Sequence, residues 1–388
     1  MADATALTVQ AHCDPDQLRV AIVHPFLVSR GGGEKVIDAL AELFPRAEFF
    51  TLMLDRSTLS PQLIGRTIHT TFLDRGPLAW RYYQHLSPLY DAATARHDLS
   101  GFDLVISSGG PGSKTARVPA GIPHIHYCHS PVRYLWDQYE TWLERLPRAL
   151  RPAFALTARR QRQRDLAAVG RINTFVANSR YIAERIARYY GAQSTVVYPP
   201  VELSSAPVST RPLDYFLTVG RLVPGKRIEL LVEACNRLGR HLIVAGTGPE
   251  LTKLRSLAGP TVEIMGRVSD EELTRLYTNA RAFLFAADED FGIATAEAQS
   301  YGLPAVAYAH GGSLEILSEG DEASPADGIL FPEQTVDAVV GGIQRFEGME
   351  HLFDRERIQA RARRFGMDRF RTGIMEVVTN ALNKTLAG

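Results

Sequence analysis

Short apolar runs alternate with segments that carry apolar residues at helical spacing, and this alternation occurs twice along the chain. Each run has four to six residues, the length of a buried strand. The alternation is typical of parallel βαβ units. The first half predicts strands at Arg19–His24, Glu48–Leu52, Thr67–Thr71, Asp103–Ser107, His124–Cys128 and Asn173–Ala177. The second half predicts strands at Tyr215–Val219, His241–Ala245, Val262–Met265, Ala282–Ala286, Ala305–Tyr308 and Gly328–Phe331.

The polar, proline-bearing stretch Leu203–Pro212 separates the two halves and is typical of a linker. A chain of 388 residues suits two domains, each with its own core. We therefore predict an α/β protein of two Rossmann-like domains that face each other across a ligand cleft. The expected divisions are a disordered extension over 1–18, an N-terminal domain over 19–205, a C-terminal domain over 206–365, and a helix over 366–388 that returns to the N-terminal domain.

Composition excludes several classes of protein. The 43 basic and 43 acidic residues give a net charge of zero, which argues against a nucleic-acid partner. Three cysteines, Cys13, Cys128 and Cys235, are far apart and indicate a reducing, cytoplasmic compartment. The first eighteen residues do not resemble a signal peptide, and no apolar run approaches the ~20 residues of a membrane span. Any membrane contact is therefore expected to be peripheral.

The most specific motif is Asp288–Pro304, DEDFGIATAEAQSYGLP, which follows an apolar run and opens a predicted helix. Glu289 falls in the loop and Glu297 within the helix. One carboxylate can accept hydrogen bonds from sugar hydroxyls, and the other can accept them from a ribose diol. The alternative is a solvated acidic loop before a surface helix, because acidic residues commonly occupy helix starts.

The start of that helix is a second candidate contact. Gly292 allows the backbone to come close to a ligand. The amides near Ile293 and Ala294 lie at the positive end of the helix dipole, which favours phosphate.

The segment VGRLVPGK, Val219–Lys226, carries two cations in a loop after a predicted strand. Arg221 and Lys226 could neutralise a departing nucleoside diphosphate. The alternative is a loop with two solvated cations. The chain lacks the GxxxxGK[ST] pattern of a P-loop.

Glycine-rich turns follow most predicted strands. GGGEK, Gly31–Lys35, comes after the first strand, and its amides could approach a phosphate or a sugar, although a tight strand–helix turn explains it equally well. Gly246 to Pro249, Gly266-Arg267-Val268 and His310 to Ser313 follow strands of the second half. Together these turns are typical of a nucleotide-binding edge.

The segment HIHYCHSPVRYLW places His129 in a loop just after a strand. A functional histidine and a structural one are equally compatible with this position. His124, His126 and Cys128 share one strand face, but no partner stands at metal-ligand spacing, so we expect no metal site.

These motifs together resemble glycosyltransferase family 4, which has the GT-B fold, over roughly residues 19 to 385. Glu289 and Glu297 match the family's E-x7-E pattern, in which the first glutamate lies at the donor sugar and the second binds the ribose. The resemblance implies diphosphate binding by Arg221 and Lys226, and places His129 near the transferred sugar. The implied catalytic residues are Glu289, His129, Arg221 and Lys226. The implied donor-binding residues are Gly32, Gly33, Gly220, Arg221, Lys226, Gly246, Arg267, Val268, Glu289, Phe291, Gly292, Ile293, Ala294 and Glu297.

The stretches YCHSPVRYLWD, EDFGI and AEAQSYGLP look most like bacterial mannosyltransferases of surface polysaccharide or lipid-linked glycan synthesis. This resemblance implies GDP-mannose as donor, retention at the anomeric carbon, and a hydroxyl of a glycan or lipid-linked glycan as acceptor. No metal or other cofactor is expected, since two cations and a helix dipole stand in its place.

The segment 142–171 is locally basic. Glu144–Arg171 contains eight arginines and only two acidic residues. Trp142 lies just before it, and several leucines are interspersed among the arginines. It could rest on an anionic membrane at the inner face of the cell membrane. A solvated helical face or an acceptor-binding wall are equal alternatives.

Three other functions compete with GDP-mannose transfer. The same fold could use a UDP-sugar, or could bind a sugar nucleotide without catalysis. A nicotinamide oxidoreductase requires G-x-G-x-x-G after a strand, and neither Gly31–Gly33 nor Gly246–Gly248 has the third glycine.

Overall fold

The computed structural model describes residues 14–110, 112–320 and 326–387. The chain divides into two compact units: unit 1 is Met1–Pro200 with Asp368–Gly388, and unit 2 is Val201–Met367. Of the predicted disordered extension, residues 1–13 lie outside the described residues. Residues 15–17 form a turn, and Leu18, which follows it, is buried.

Unit 1 is built on parallel strands. These are β1 (Val20–Val23), β2 (Phe26–Leu27), β3 (Glu48–Phe50), β4 (Met53–Leu54), β5 (Ile68–His69), β6 (Leu104–Ser108), β7 (His124–Cys128), β8 (Thr174–Ala177) and β9 (Ser194–Val196). The described residues form a seven-stranded sheet in the order β5-β3-β1-β6-β7-β8-β9, and β2 pairs separately with β4. All six predicted strands of this half are confirmed. The prediction missed β2, β4 and β9, since two or three residues are too few to show a hydrophobic period.

Helices cover the sheet of unit 1. They are α1 (Gly32–Leu43), α2 (Pro77–Arg81), α3 (Tyr90–Thr94), α4 (Tyr139–Arg145), α5 (Arg151–Val169) and α6 (Arg180–Tyr190). Val36, Ile37 and Leu40 lie on the predicted apolar face of α1 and are fully buried. In contrast, α5 buries Ala158, Asp165 and Ala168, so its packing does not follow an apolar stripe.

Unit 2 repeats the architecture. Its strands are β10 (Phe216–Val219), β11 (Leu242–Ala245), β12 (Val262–Gly266), β13 (Ala282–Phe285), β14 (Ala305–Tyr308) and β15 (Gly328–Phe331). They pair in parallel in the order β12-β11-β10-β13-β14-β15, and each was predicted to within one residue at either end. Its helices are α7 (Ile228–Leu238), α8 (Leu251–Leu257), α9 (Asp270–Asn279), α10 (Ile293–Ser300), α11 (Ser313–Ile316), α12 (Val336–Met349) and α13 (Arg355–Ala362).

The last helix, α14 (Met367–Ala387), packs on unit 1. Phe370 is buried with its ring centroid 6.0 Å from that of Tyr127 on β7. Arg371 donates to Glu42 on α1 at 2.8 Å. The chain therefore leaves unit 1, builds unit 2 and ends on unit 1.

No helix within the described ranges combines the length and the hydropathy needed to cross a membrane.

Candidate active site

The carboxyl ends of the central strands of unit 2 meet in a layer of close backbone contacts. The amide of Gly220, after β10, donates to Ala245 O at 3.0 Å, and the amide of Gly246, after β11, donates to Gly266 O at 2.7 Å. Gly246 has a φ of 149°, and a Cβ there would overlap the carbonyl oxygen of Gly220. The chain's own packing thus requires glycine at Gly246, independently of any ligand.

Lys226 and Glu289 meet at this edge. Lys226 ends a short 3-10 turn after β10, and its Nζ donates to Glu289 Oε1 in the loop after β13. The ammonium also lies 5.7 Å from the centre of the Phe285 ring. Burial, with a smaller contribution from the nearby Arg221, lowers the pKa of Lys226 to about 8. The predicted cation and the predicted carboxylate therefore belong to one site.

The two arginines near Lys226 differ in whether an ion pair holds their side chains. Arg221 is exposed and forms no ion pair with any described residue. Arg227 caps α7 with a left-handed backbone, φ 52°, and its Nε donates to Glu229 at 2.8 Å. This conformation costs a non-glycine residue about 1–2 kcal/mol, so the turn that presents Lys226 holds local strain.

The loop that carries Glu289 is held by the loop after β14. The amide of Gly312 donates to Glu289 O at 2.9 Å, and His310 Nδ1 lies 2.8 Å from Asp288 Oδ1. A Cβ on Gly312 would overlap Phe291 O. The glycines predicted to admit a phosphate here are in contact with the chain's own backbone.

The helix after this loop, α10, begins at Ile293 with Gly292 as its N-cap at φ 97°. Ile293 and Ala294 are half-buried, and Glu297 is half-buried one turn further on. Phe291 is 3% exposed and packs edge-on against Phe365, with ring centroids 5.2 Å apart. Its side chain is therefore part of the core, so any donor contact at this position falls to its backbone.

Arg267 and Val268 follow β12 directly and precede α9. Arg267 is exposed and Val268 is half-buried. They lie two strands away from β10 in the sheet order, past β11.

Unit 1 has a polar cluster at the carboxyl ends of β1, β6 and β7. His129 Nε2 lies 2.9 Å from Ser108 Oγ, and His24 Nδ1 lies 3.0 Å from Ser108 O. Burial, together with the neighbouring His24, lowers the pKa of His129 to about 3, so this imidazole is neutral at pH 7. A Cβ on Gly33 would lie 3.9 Å from both imidazoles. The structure therefore brings the predicted Gly33 and His129 together.

Glu34 adds a carboxylate to this cluster. Its Oε1 lies 3.9 Å from His24 Nε2, and the side chain is 21% exposed. Burial raises the pKa of Glu34, but the hydrogen bond and charge of His24, with smaller contributions from a backbone hydrogen bond and His129, together give a net downward shift. Gly32, the first residue of α1, is exposed.

His24, Glu34 and Ser108 belong to the cluster although no sequence motif marked them. A detectable signal for His24 was its place at the end of β1, where ligand-facing residues of α/β sheets lie. The loop of His129 is anchored by two further residues that no motif marked. Asn178 Nδ2 donates to His129 O at 3.0 Å, and Arg185 Nη1 donates to Ser130 Oγ at 3.1 Å.

His124 and His126 share a serine and are buried. Ser107 Oγ lies 2.7 Å from His124 Nε2 and 2.9 Å from His126 Nδ1. Burial lowers the pKa of His124 to about 4, and that of His126 well below its ordinary value. Within the described ranges, no three His, Cys, Asp or Glu side chains are grouped as metal ligands.

The basic segment forms α4, α5 and the turn between them. Its exposed apolar side chains are Trp142, Leu150, Leu156 and Leu166. Its exposed arginines are Arg145, Arg148, Arg159, Arg160, Arg164 and Arg171. Apolar and cationic side chains are thus interspersed on the exposed part of this segment.

The sequence matches two family models that together span most of the chain. Glycosyltransferase Family 4 matches residues 30–205, and Glycosyl transferases group 1 matches residues 207–365. The chain belongs to glycosyltransferase family 4. This assignment agrees with the resemblance carried by the E-x7-E and VGRLVPGK motifs.

A curated relative of this family-4 chain is the GDP-mannose-dependent alpha-mannosyltransferase of Corynebacterium glutamicum. It is 31% identical over 116 residues, which cover 30% of this chain and 28% of the relative. The chain spans about a third of the length of the curated relatives it matches.

Solved structures show the fold of this family-4 chain. The lipopolysaccharide outer core galactosyltransferase WaaB has a TM-score of 0.63 at 19% identity, covering 92% of this chain and 99% of WaaB. HepE of Anabaena, in complex with UDP, has a TM-score of 0.67 at 16% identity, covering 94% of this chain and 100% of HepE. These likenesses and the two parallel sheets confirm the predicted GT-B fold of two Rossmann-like domains.

Proposed function

We propose that the protein is a retaining glycosyltransferase that moves a hexose from a nucleotide sugar to a hydroxyl of a glycan or lipid-linked glycan. The contact between Lys226 and Glu289 carries this proposal. It places a cation suited to a diphosphate beside a carboxylate suited to sugar hydroxyls, at the strand edge where α/β proteins bind ligands. Membership of family 4 supports the same activity.

The contact between Lys226 and Glu289 also suggests the order of events when the donor binds. A diphosphate competes with Glu289 for Lys226, because both are anions within reach of one ammonium. When the diphosphate takes Lys226, the Glu289 carboxylate becomes an acceptor for a hexose hydroxyl. Arg221, exposed and without an ion pair among the described residues, contributes the second cation.

Transfer with retention then requires little further chemistry from the chain. Lys226, Arg221 and the amides at the start of α10 stabilise the charge that develops on the leaving diphosphate. The diphosphate itself draws the proton from the acceptor hydroxyl on the same face of the sugar. Glu297 binds the ribose, and the neutral His129 contacts the transferred sugar.

The resemblance to family 4 adds glycine turns as proposed donor contacts. In unit 2 these are Gly220 and Gly246, and in unit 1 they are Gly32 and Gly33. Arg267 and Val268 frame the nucleobase. The backbone of Phe291, Gly292, Ile293 and Ala294 meets the phosphates or the sugar. No metal or cofactor takes part, so activity is expected to be unchanged after treatment with EDTA, and a loss of rate restored by Mg²⁺ or Mn²⁺ contradicts this part of the proposal.

GDP-mannose is the proposed donor. The related GDP-mannose-dependent alpha-mannosyltransferase of Corynebacterium glutamicum supports this donor. A UDP-sugar is the alternative, favoured by the UDP bound to HepE.

A nucleotide screen tests the proposal. Thermal unfolding is followed with GDP, UDP and NAD, because a ligand that binds the native state raises the melting temperature by mass action. GDP is expected to give the largest shift, and donor hydrolysis assays with GDP-mannose and UDP-glucose then identify the sugar. A larger shift with UDP would select the alternative donor. Binding without hydrolysis or transfer would indicate a non-catalytic sugar-nucleotide-binding protein, and a shift with NAD alone would overturn the proposal.

We also propose that segment 142–171 contacts an anionic membrane, where a lipid-linked acceptor lies, from the cytoplasmic side. The interspersed exposed arginines, leucines and Trp142 support this contact, since cationic and apolar groups act together at an anionic interface. Sedimentation with phosphatidylglycerol vesicles at low salt tests it. The Arg159→Glu/Arg160→Glu variant should lose the binding, and an absence of vesicle binding by the wild type removes this element.

A further inference from the structure

We propose that His310 and Asp288 are positioning residues for Glu289, so that the loop after β14 sets the geometry of hexose recognition. This inference rests on the proposed function, in which Glu289 contacts the donor sugar. It assigns a role to a histidine that no motif connected with the E-x7-E glutamates.

The side-chain contact is direct. His310 Nδ1 and Asp288 Oδ1 are 2.8 Å apart. An ionised carboxylate only accepts hydrogen bonds, so Nδ1 carries the hydrogen in this pair. Asp288 immediately precedes Glu289 in sequence. Holding the Asp288 side chain therefore restrains the peptide that leads into Glu289.

A backbone contact restrains the other side of the same residue. The Gly312 amide donates to the carbonyl oxygen of Glu289 at 2.9 Å. A Cβ at either Gly311 or Gly312 would overlap backbone atoms of the Glu289 loop. The two loops thus touch backbone to backbone, and the His310 bond lies at one end of this contact.

The loop after β14 is itself anchored. The ring of His310 stacks on that of Tyr308, the last residue of β14, with centroids 5.7 Å apart and planes 21° apart. The amide of Ala309 donates to Phe331 O at 2.9 Å, which ties the loop to β15. On the far side, Arg364 Nη2 donates to Ile316 O at 2.8 Å, at the end of α11. Glu289 is therefore attached to the sheet by a path that runs through His310 and Gly312.

The partial exposure of His310 and Asp288 distinguishes a positioning role from a role in core packing. The side chain of His310 is 43% exposed and that of Asp288 is 29% exposed. Truncating His310 removes a hydrogen bond at the surface and leaves no large cavity, so the fold should persist. The effect should instead fall on the orientation of Glu289.

The test compares the full chain with His310→Ala and His310→Asn. Asparagine keeps an N–H donor on a short side chain, and His351→Ala is the matched control because His351 is also an exposed histidine of unit 2. The measurements are kcat and KM for GDP-mannose, or for a UDP-sugar if that is the donor found, and the Kd of the corresponding nucleoside diphosphate. The diphosphate probe lacks the hexose, so loss of the oriented contact between Glu289 and the sugar hydroxyls should not weaken its binding.

His310→Ala is expected to lower kcat/KM by about 10-fold, the value of one hydrogen bond to a charged group. The Kd of the nucleoside diphosphate should change by less than about twofold, the scatter of independent sites. His310→Asn should retain most activity, and His351→Ala should match the wild type. In the Glu289→Ala background, His310→Ala should have no further effect on kcat/KM, because the residue it positions is gone.

Two results overturn the inference. One is an equal loss of affinity for the diphosphate and for the sugar nucleotide, which indicates a general structural role. The other is that the effects of His310→Ala and Glu289→Ala multiply, which indicates independent sites. Failure of the proposed function looks different: the wild-type protein itself then neither binds nor turns over any sugar nucleotide, and the inference falls with it.

Discussion

The ammonium of Lys226 donates a hydrogen bond to the carboxylate of Glu289 across 63 residues of sequence. Each side chain comes from a loop at the carboxyl edge of the same sheet, after β10 and β13, which are neighbours. The cation is partly desolvated, with 20% of its side chain exposed, and this lowers its pKa. A diphosphate that binds here gains a cation that water screens weakly.

Removal of this cation should impair catalysis more than substrate binding. We predict that Lys226→Ala loses about 2–4 kcal/mol of transition-state stabilisation, by analogy with other lost electrostatic groups. The measurement is kcat at saturating sugar nucleotide. Lys253→Ala is the matched control, since Lys253 is an exposed lysine of unit 2 that also pairs with a glutamate, Glu250. An unchanged kcat for Lys226→Ala would remove Lys226 from the mechanism.

The same lysine predicts a pH dependence. Burial lowers the pKa of Lys226 from 10.5 to about 8, so its charge is present below pH 8 and lost as the pH rises through that value. We therefore expect kcat/KM for the sugar nucleotide to fall above about pH 8, since this ratio reflects the free enzyme. Lys226→Arg keeps its charge at these pH values and should lack the fall. A wild-type profile that is flat from pH 7 to 9.5 would contradict the prediction.

The strands of unit 2 were predictable because most of their residues are buried and most of them read as apolar runs. Glu289 and Glu297 were predictable as a pair, since both belong to one local motif. The contact of Lys226 with Glu289 was not, because it depends on which strands are neighbours in the sheet. The role of Gly246 was not predictable either. The sequence does not distinguish a glycine that contacts a ligand from one that contacts the backbone oxygen of Gly220.

Unit 1 was harder to predict for two physical reasons. Its edge strand β9 is short and polar, and α5 buries an aspartate where a hydrophobic residue would mark the inner face. His24 directly follows β1 and Glu34 lies in the first turn of α1, with the short strand β2 between them, and no motif spans the two residues.

Replacing Gly312 with alanine should show that close packing, not backbone conformation, requires glycine at this position. Gly312 has ordinary helical backbone angles, but a Cβ there would overlap Phe291 O. We predict that Gly312→Ala destabilises the protein by about 1–3 kcal/mol, as overpacking does, and lowers sugar-nucleotide turnover by displacing Glu289. Gly341→Ala is the control, because Gly341 lies within α12 with nothing within 4 Å of its Cβ position. That variant should gain up to about 1 kcal/mol from helix propensity. Urea unfolding measures both, and equal effects of the two substitutions would contradict the packing argument.

The buried and half-buried histidines of unit 1 predict loss of stability in acid. Burial lowers the pKa of His97 and His124 to about 4 and that of His129 to about 3. Between pH 6.5 and about 4 the unfolded chain binds protons that the native chain does not. The free energy of unfolding should therefore decrease as the pH is lowered through this range, by up to about 1.4 kcal/mol per pH unit for each histidine. Above pH 7 these histidines should not change the free energy of unfolding.

Tryptophan fluorescence is suited to this measurement, because Trp80, Trp136 and Trp142 all lie in unit 1. The slope of unfolding free energy against pH should be smaller in His97→Phe than in the wild type, and unchanged in the unit 2 variant His351→Ala. Parallel curves for wild type and His97→Phe would show that His97 titrates normally in the folded state.

The buried ion pair between Lys114 and Asp165 should stabilise the packing of α5, which carries most of the basic segment 142–171, against the rest of unit 1. Lys114 Nζ lies 2.6 Å from Asp165 Oδ1 on α5, with side chains only 4% and 8% exposed, and 2.6 Å from the hydroxyl of Tyr190. We predict that Asp165→Ala costs about 3–5 kcal/mol, because it leaves the Lys114 cation buried without a counter-charge. The double variant Lys114→Met/Asp165→Leu should recover most of the loss, since it removes both charges and keeps the volume. Asp368→Ala, which removes a fully exposed partner of Arg371, should change little. Urea unfolding followed by tryptophan fluorescence measures all three. If the double variant is as unstable as Asp165→Ala, the loss comes from packing or from the hydrogen bond that Trp136 Nε1 donates to Asp165 Oδ2 at 3.1 Å, and the ion pair does not attach α5.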